Sequence, residues 1–135
     1  MGSVVLDAQP LVALVLDEPS AGYVADRLRG FVGEEHALIS AVNWCEVIYA
    51  TRRVAGEHMA ARVAALMERA GISVVDVDRT LAGFAASVKA EHRLGLGDSF
   101  AAGLALATGL PLLTGDSDFL PLEEHGLQLD FIGGT

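Results

Sequence analysis

The chain has 135 residues, 52% of them hydrophobic, and a formal net charge of −9 at pH 7. This length predicts a single domain over residues 1–135 with a sizeable core, and the apolar content argues against disorder. The acidic balance argues against a general nucleic-acid-binding module. We expect a cytoplasmic protein, because no apolar run approaches the ~20 residues of a membrane span, no signal peptide is recognisable, and a lone cysteine permits no internal disulfide.

The first half of the chain alternates short apolar runs with helical patterns. The first run is continuous and β-branched, and it is too short for a helix, so it predicts a buried strand. Prolines stand near the starts of the first two helical patterns, and Ser40 is placed to cap the third. The expected elements are a strand over 3–7, helices over 10–16 and 19–31, a strand over 37–39, a helix from Ser40 to about Val54, and a helix between Gly56 and Gly71.

The second half continues the alternation. The pattern predicts a strand over 72–77, helices over 79–93 and 98–108, a strand over 112–114, and a short strand over 127–132. Strands that alternate with helices indicate the α/β class, here a three-layer sandwich with a central parallel sheet of four to five strands. Ligands bind beyond the carboxyl ends of the strands in such sheets.

Four acidic residues stand at or near the ends of predicted elements: Asp7, Glu46, Asp98 and Asp116. Each has a structural alternative when taken alone. Asp7 can cap a helix, Asp98 can sit favourably in a first helical turn, and Asp116 with Asp118 can form a solvated turn. Glu46 shares one helical face with Asn43, Ala50 and Arg53, and that face can be a solvent-facing one.

The conjunction of these acids favours a metal site. Carboxylates brought together repel one another, and a divalent cation removes that penalty. Oxygen ligands suit Mg²⁺ or Mn²⁺, and no Lys or Arg follows Arg93 to offset the acids of the last third. The four histidines show no metal-ligand spacing, and Cys45 is expected in the core. Metal-assisted hydrolysis is therefore the predicted chemistry.

The motifs around these acids resemble those of the PIN-domain ribonucleases, in particular the small VapC-like toxins of bacterial toxin–antitoxin pairs. The resemblance covers nearly the whole chain. Its four motifs occur in the family's order, and the most specific is the last, which matches a Thr-x-Asp-x-Asp-Phe pattern. They are Val4-Val5-Leu6-Asp7, Asn43-Trp44-Cys45-Glu46-Val47, Leu96-Gly97-Asp98-Ser99-Phe100-Ala101-Ala102 and Leu112-Leu113-Thr114-Gly115-Asp116-Ser117-Asp118-Phe119.

The resemblance implies a function as well as a fold. It implies that the four acids hold Mg²⁺ or Mn²⁺ and catalyse hydrolysis of RNA phosphodiester bonds. It further implies that Thr114 orients Asp116 or a water, and that Asp118 is an accessory acid. The expected partners are a cognate antitoxin that blocks the site and a second copy of the chain. Two departures from the family's usual residues are Ser99, in place of alanine, and Gly115, in place of a basic residue.

The sequence leaves the substrate contacts and two rival functions open. Arg52 and Arg53 lie one or two turns beyond Glu46 and are candidates for offsetting phosphate charge, although a solvated helix end explains them equally well. A receiver-like, Mg²⁺-binding phosphoacceptor domain is one alternative, but it requires paired acids after the first strand and a late lysine. A non-catalytic PIN-type module that binds RNA or protein is the other.

Overall fold

The computed structural model describes residues 2–132. The strands in this range are β1 (Val4–Leu6), β2 (Ala37–Ser40), β3 (Ser73–Val75), β4 (Leu112–Thr114) and β5 (Leu129–Phe131). The helices are α1 (Ala8–Val15), α2 (Ala21–Arg29), α3 (Ala41–Ala55), α4 (Glu57–Arg69), α5 (Arg79–Glu91) and α6 (Leu96–Thr108), followed by a 3₁₀ helix, Ser117–His125. Among the described residues, no helix is long and apolar enough to cross a membrane.

The five strands form one parallel sheet in the order β3-β2-β1-β4-β5. The central strand, β1, pairs with β2 on one side and β4 on the other, and all of its residues are buried. The carboxyl ends of β1 and β4 therefore lie side by side, although more than a hundred residues separate them in the chain.

Helices cover both faces of the sheet. Val5 of β1 packs into a core cluster with apolar residues of α5, α6 and the 3₁₀ helix. Its neighbours Val4 and Leu6 point to the opposite face and pack with residues of α1, α3 and α4. This alternation is the period-two pattern of a strand that is buried on both faces. The predicted α/β class and three-layer arrangement are confirmed.

Several predicted boundaries differ from those in the structure. The outer strands are shorter than expected: the run over 72–77 contributes only Ser73–Val75, because pairing with β2 ends there. The 3₁₀ helix was not predicted. Asp116 caps it, Pro121 lies inside it, and its buried Phe119 and Leu122 attach it to the core. The cap and these two apolar residues indicate an ordered turn rather than the solvated one considered above.

Candidate active site

Asp7 lies where β1 passes into α1. Its backbone is extended, and its Oδ1 accepts a hydrogen bond from Ala8 N at 2.9 Å, so it is the N-cap of α1. Its Oδ2 accepts a hydrogen bond from Thr114 Oγ1 at 2.9 Å. The residue is only 3% exposed. Within residues 2–132 no basic side chain forms an ion pair with it. The Asp7 carboxylate is therefore hydrogen-bonded but has no positive charge beside it.

The chain after β4 contributes Thr114 and Asp116. Thr114 is fully buried, and its hydroxyl, besides donating to Asp7, accepts a hydrogen bond from Asp116 N at 3.1 Å. Asp116 is half-buried, and its Oδ1 accepts a hydrogen bond from Asp118 N at 2.9 Å. The neighbouring Gly115 N donates to Gln9 Oε1 at 3.1 Å. One threonine hydroxyl thus links the two acids at the paired ends of β1 and β4.

Glu46 projects from α3 and is held by Asn43. The helix begins at the end of β2, where Ser40 Oγ accepts a hydrogen bond from Asn43 N at 3.0 Å. The Asn43 amide is fully buried and donates to Glu46 Oε1 at 2.8 Å and to Gly97 O at 3.0 Å. Asn43 therefore orients the Glu46 carboxylate and joins α3 to the first turn of α6.

The first turn of α6 carries Asp98. Gly97 precedes it, and a Cβ at Gly97 would overlap the Glu46 carboxylate, so a glycine allows the two helices to approach here. Ser99 is buried, and its hydroxyl donates to Gly95 O at 2.9 Å. This hydrogen bond at the start of α6 accommodates Ser99 at the position where the family usually has alanine.

The four predicted acids border one open cleft of about 620 Å³. Glu18 also borders it, and among the described residues its lining includes no Lys, Arg or His. The lining consists of Asp7, Ala8, Gln9, Val12, Glu18, Glu46, Tyr49, Ala50, Asp98, Gly115 and Asp116. Asp118 is exposed and lies on the wall of a neighbouring, smaller pocket instead. The structure brings the quartet together and leaves Asp118 beside it.

The proton affinities of two of these acids reflect this crowding. The pKa of Asp7 is raised to about 7, chiefly by burial and also by the charges of Asp98 and Glu46, against the lowering effect of hydrogen bonds from Thr114 and Ala8. Burial likewise raises the pKa of Asp98 to about 6, together with the charges of Asp116, Glu46 and Asp118. The acids are close enough to oppose one another's ionisation.

The cleft's donors suit a hard divalent cation. Every acidic lining residue offers carboxylate oxygen, and such a cation would offset the burial and the mutual repulsion of negative charge that raise the two pKa values. Within residues 2–132, however, no three His, Cys, Asp or Glu side chains form a ready-made group around one ion. A metal would therefore require some of the carboxylates that line the cleft to draw closer together.

The two candidate arginines differ in position. Arg53 lies above the ring of Tyr49, a lining residue, with its guanidinium carbon 5.7 Å from the ring centroid. Arg52 approaches Glu57 at 4.0 Å, and both of those side chains are exposed. Neither arginine lines the cleft itself, but Arg53 follows Glu46 by seven residues and shares its helical face.

Two residues of the site, Asn43 and Glu18, were not predicted from the sequence, and the burial of Cys45 was predicted wrongly. The face of α3 that carries Asn43 and Glu46 is only partly solvated, since Asn43 is fully buried and Glu46 borders the cleft, whereas Arg53 further along is exposed. The spacing of these residues was visible, but the side of the helix that meets α6 was not. Glu18 was not predicted either. Cys45, expected in the core, is exposed.

Comparison with known proteins identifies the family. The model of the PIN domain matches residues 4–124. A VapC ribonuclease of Mycobacterium bovis and Ribonuclease VapC30 of Mycobacterium tuberculosis are each 32% identical over 123 residues, which cover 85% of this chain and 91% of the relative. The chain belongs to the PIN-domain family and, within it, to the VapC ribonucleases.

Solved structures show the same fold at low sequence identity. A DNA-bound VapBC from Salmonella typhimurium superposes with a TM-score of 0.76 at 20% identity and covers 97% of this chain and 98% of its own. VapC20 of Mycobacterium tuberculosis, described as a Sarcin-Ricin loop cleaving toxin, gives 0.74 at 17% identity and covers 88% and 94%. The resemblance to PIN-domain ribonucleases is confirmed, and a receiver-like domain is excluded.

Proposed function

We propose that this chain is a metal-dependent endoribonuclease that acts as the toxin of a toxin–antitoxin pair. The proposal depends on one observation. One cleft is lined by Asp7, Glu46, Asp98 and Asp116, and its described lining includes no basic side chain. The names of the curated relatives, both ribonucleases of the VapC type, support RNA as the substrate. The absence of Cys and His from the lining favours Mg²⁺ or Mn²⁺ over softer metals.

The residues have distinct roles in this proposal. The quartet holds the metal, which when bound offsets the phosphodiester charge and makes a water easier to deprotonate. Thr114 fixes the Asp7 carboxylate, and Asn43 fixes that of Glu46. Asp118 is the accessory acid of this proposal; it lies beside the cleft, close enough for its charge to help raise the pKa of Asp98. Hydrogen bonds from two buried side chains thus preorganise two of the four carboxylates before substrate binds.

Substitution of Asp98 tests the activity. Asp98→Asn replaces a half-buried carboxylate by an uncharged amide of similar size, so the fold should persist. Mg²⁺- or Mn²⁺-dependent cleavage of total RNA should fall by at least about a hundredfold, because a charged metal ligand is lost. Asp76→Asn, which removes an exposed carboxylate outside the cleft, is the matched control. Cleavage by Asp98→Asn at the wild-type rate would contradict the assignment. Inactive wild-type protein with intact metal binding would favour the non-catalytic alternative.

A second surface, an apolar groove away from the acidic cleft, is the proposed binding site for an inhibitory protein partner. An apolar groove of about 340 Å³ runs between α1, α2 and α4, and it includes Leu66, which is 49% exposed. Apolar grooves between helices suit an amphipathic segment of another protein. Two structures similar to this chain are described as a toxin–antitoxin complex and as a member of a family of toxin–antitoxin systems, which supports an antitoxin as that partner. The protein encoded beside this chain's gene should stop the cleavage; failure to inhibit would contradict this part. Homodimerisation stays a prediction.

A further inference from the structure

Tyr49 is an exposed aromatic residue at the rim of the acidic cleft. It is 58% exposed and lies three residues after Glu46 on α3, so the two share a helical face. A single exposed aromatic is ordinary on a protein surface. Tyr49 differs from the other exposed aromatic side chains of the described chain, such as Phe84, in its position on the lining of the cleft.

Arg53 restrains the Tyr49 ring. Its guanidinium lies over the ring, and its Nη1 donates a hydrogen bond to Tyr49 Oη at 3.3 Å. The pair therefore presents a positioned ring and a positive charge together, on the same helical face as Glu46. Trp44, the other aromatic residue near Glu46, borders a separate cavity beside α4 and β3. The two aromatic residues of this helix consequently have different surroundings.

The negative charge of the cleft makes the contacts that Tyr49 and Arg53 can offer useful for binding RNA. Five acidic side chains line the cleft, and they repel an approaching phosphate backbone in the absence of metal. Bases are uncharged and offer a π-face to any aromatic ring, so stacking attracts RNA without opposing those acids. A cation beside the ring adds attraction for a phosphate. Tyr49 and Arg53 supply both kinds of contact at the rim.

We infer that Tyr49 is a stacking platform for one unpaired base next to the scissile phosphodiester, with Arg53 holding the ring and meeting an adjacent phosphate. The inference rests on the proposed ribonuclease function. It also restricts the substrate to single-stranded RNA or a loop at that nucleotide, because a base within a duplex is not free to stack on a side chain. Tyr49 is thus a substrate-binding residue that determines specificity for an unpaired position.

The test uses a short RNA built around a cleavage site mapped with the wild-type protein. Each nucleotide near the scissile bond is replaced in turn by an abasic one, and kcat/KM is measured for the wild type, Tyr49→Phe and Tyr49→Ala. On intact RNA, Tyr49→Ala should lower kcat/KM roughly 5- to 150-fold, mainly through KM, as expected for one lost stack. Tyr49→Phe keeps the ring and should stay within about twofold.

The abasic series separates stacking from a structural role. At one position the abasic nucleotide should impair the wild type but leave Tyr49→Ala no worse than on intact RNA, since both changes remove the same contact. Phe84→Ala, which truncates an exposed aromatic side chain outside the cleft, should behave as wild type. Wild-type kinetics for Tyr49→Ala, or an equal loss at every position, would overturn the inference. If the wild type cleaves no RNA, the proposed function fails first.

Discussion

Gly97 controls where the Glu46 carboxylate can lie. Because a Cβ at this position would overlap that carboxylate, Gly97→Ala should push Glu46 out of the cleft. The displaced group is the end of a flexible side chain, so the fold should be retained. We expect Mn²⁺ affinity and RNA cleavage to fall by about tenfold or more, since a ligand misplaced by ~1 Å can cost a hundredfold in rate.

The neighbouring Gly95 provides the control for this substitution. A Cβ at Gly95 meets no atom within 4 Å, and the backbone there has a φ of −63°, which any residue adopts. Gly95→Ala should therefore leave both metal affinity and cleavage near the wild-type values. Calorimetric Mn²⁺ titration and the cleavage assay measure the two effects. Equal behaviour of the two variants would show that Glu46 does not depend on Gly97.

Single residues also show what the sequence could predict about the site. Asp7 and Asp116 were predictable because each follows a short buried strand, and parallel strands place their carboxyl ends at one edge. The role of Asn43 was not predictable, since its side-chain amide donates a hydrogen bond to a carbonyl 54 residues later in the chain. A helical spacing defines which residues share a face, but the neighbouring helix decides whether that face meets solvent or a site.

At the scale of elements, Gly103 sets the distance between α5 and α6. A Cβ added there would lie 2.9 Å from Ala85 N, and backbone cannot move aside as a side-chain end can. Gly103→Ala should therefore lower the free energy of unfolding by about 1–3 kcal/mol, the usual cost of overpacking. Urea denaturation measures this change. The same displacement would shift the helix that carries Asp98.

Gly83, in α5, is the matched case without a close neighbour. No atom lies within 4 Å of a Cβ built there, so Gly83→Ala should gain helix propensity and raise the free energy of unfolding by about 0.5–1 kcal/mol. The two glycine-to-alanine changes are thus expected to differ in sign. Stabilisation by both would mean that α5 and α6 do not pack as closely as the structure shows.

Element prediction succeeded where local chemistry decides the outcome. Helix α3 is capped by Ser40 as expected, because the Ser40 hydroxyl accepts a hydrogen bond from Asn43 N. Hydrophobic runs overestimated the outer strands, since a strand ends where its partner stops and not where the apolar run does. The 3₁₀ helix after Asp116 was missed because its packing depends on Phe119 and Leu122 reaching a core formed by distant segments.

At the scale of the whole molecule, the strand order creates an electrostatic conflict. It places Asp7 beside Thr114 and Asp116, while α3 and α6 add Glu46 and Asp98. The sequence indicated that these acids would share an edge, but not that β1 and β4 are direct neighbours. In the metal-free protein the repulsion between these carboxylates lowers the stability of the folded state, and a bound cation would remove that repulsion.

That conflict predicts how the metal-free protein's stability depends on pH. Asp7 and Asp98 have pKa values of about 7 and about 6 in the folded chain, above the ordinary 3.8, so the folded state binds their protons more tightly than the unfolded state does. Their contribution to stability is therefore fully present below about pH 4 and is lost as pH rises through about 7. Asp7→Asn should remove much of this slope. At pH 8 it should raise the free energy of unfolding by about 1–3 kcal/mol, as each pKa unit corresponds to about 1.4 kcal/mol.

Metal should act in the opposite direction along the same pH axis. At pH 8 the acids are ionised, and free Mg²⁺ or Mn²⁺ at about 100 times its Kd should add roughly 2.7 kcal/mol to the wild type. At pH 5 protons compete for the same oxygens, so the gain should be much smaller. Asp7→Asn should lose most of the gain at pH 8, whereas Asp76→Asn should keep it. Thermal unfolding with and without metal measures all of these changes. An unchanged metal response in Asp7→Asn would show that the buried acid at the end of the central strand is not a ligand.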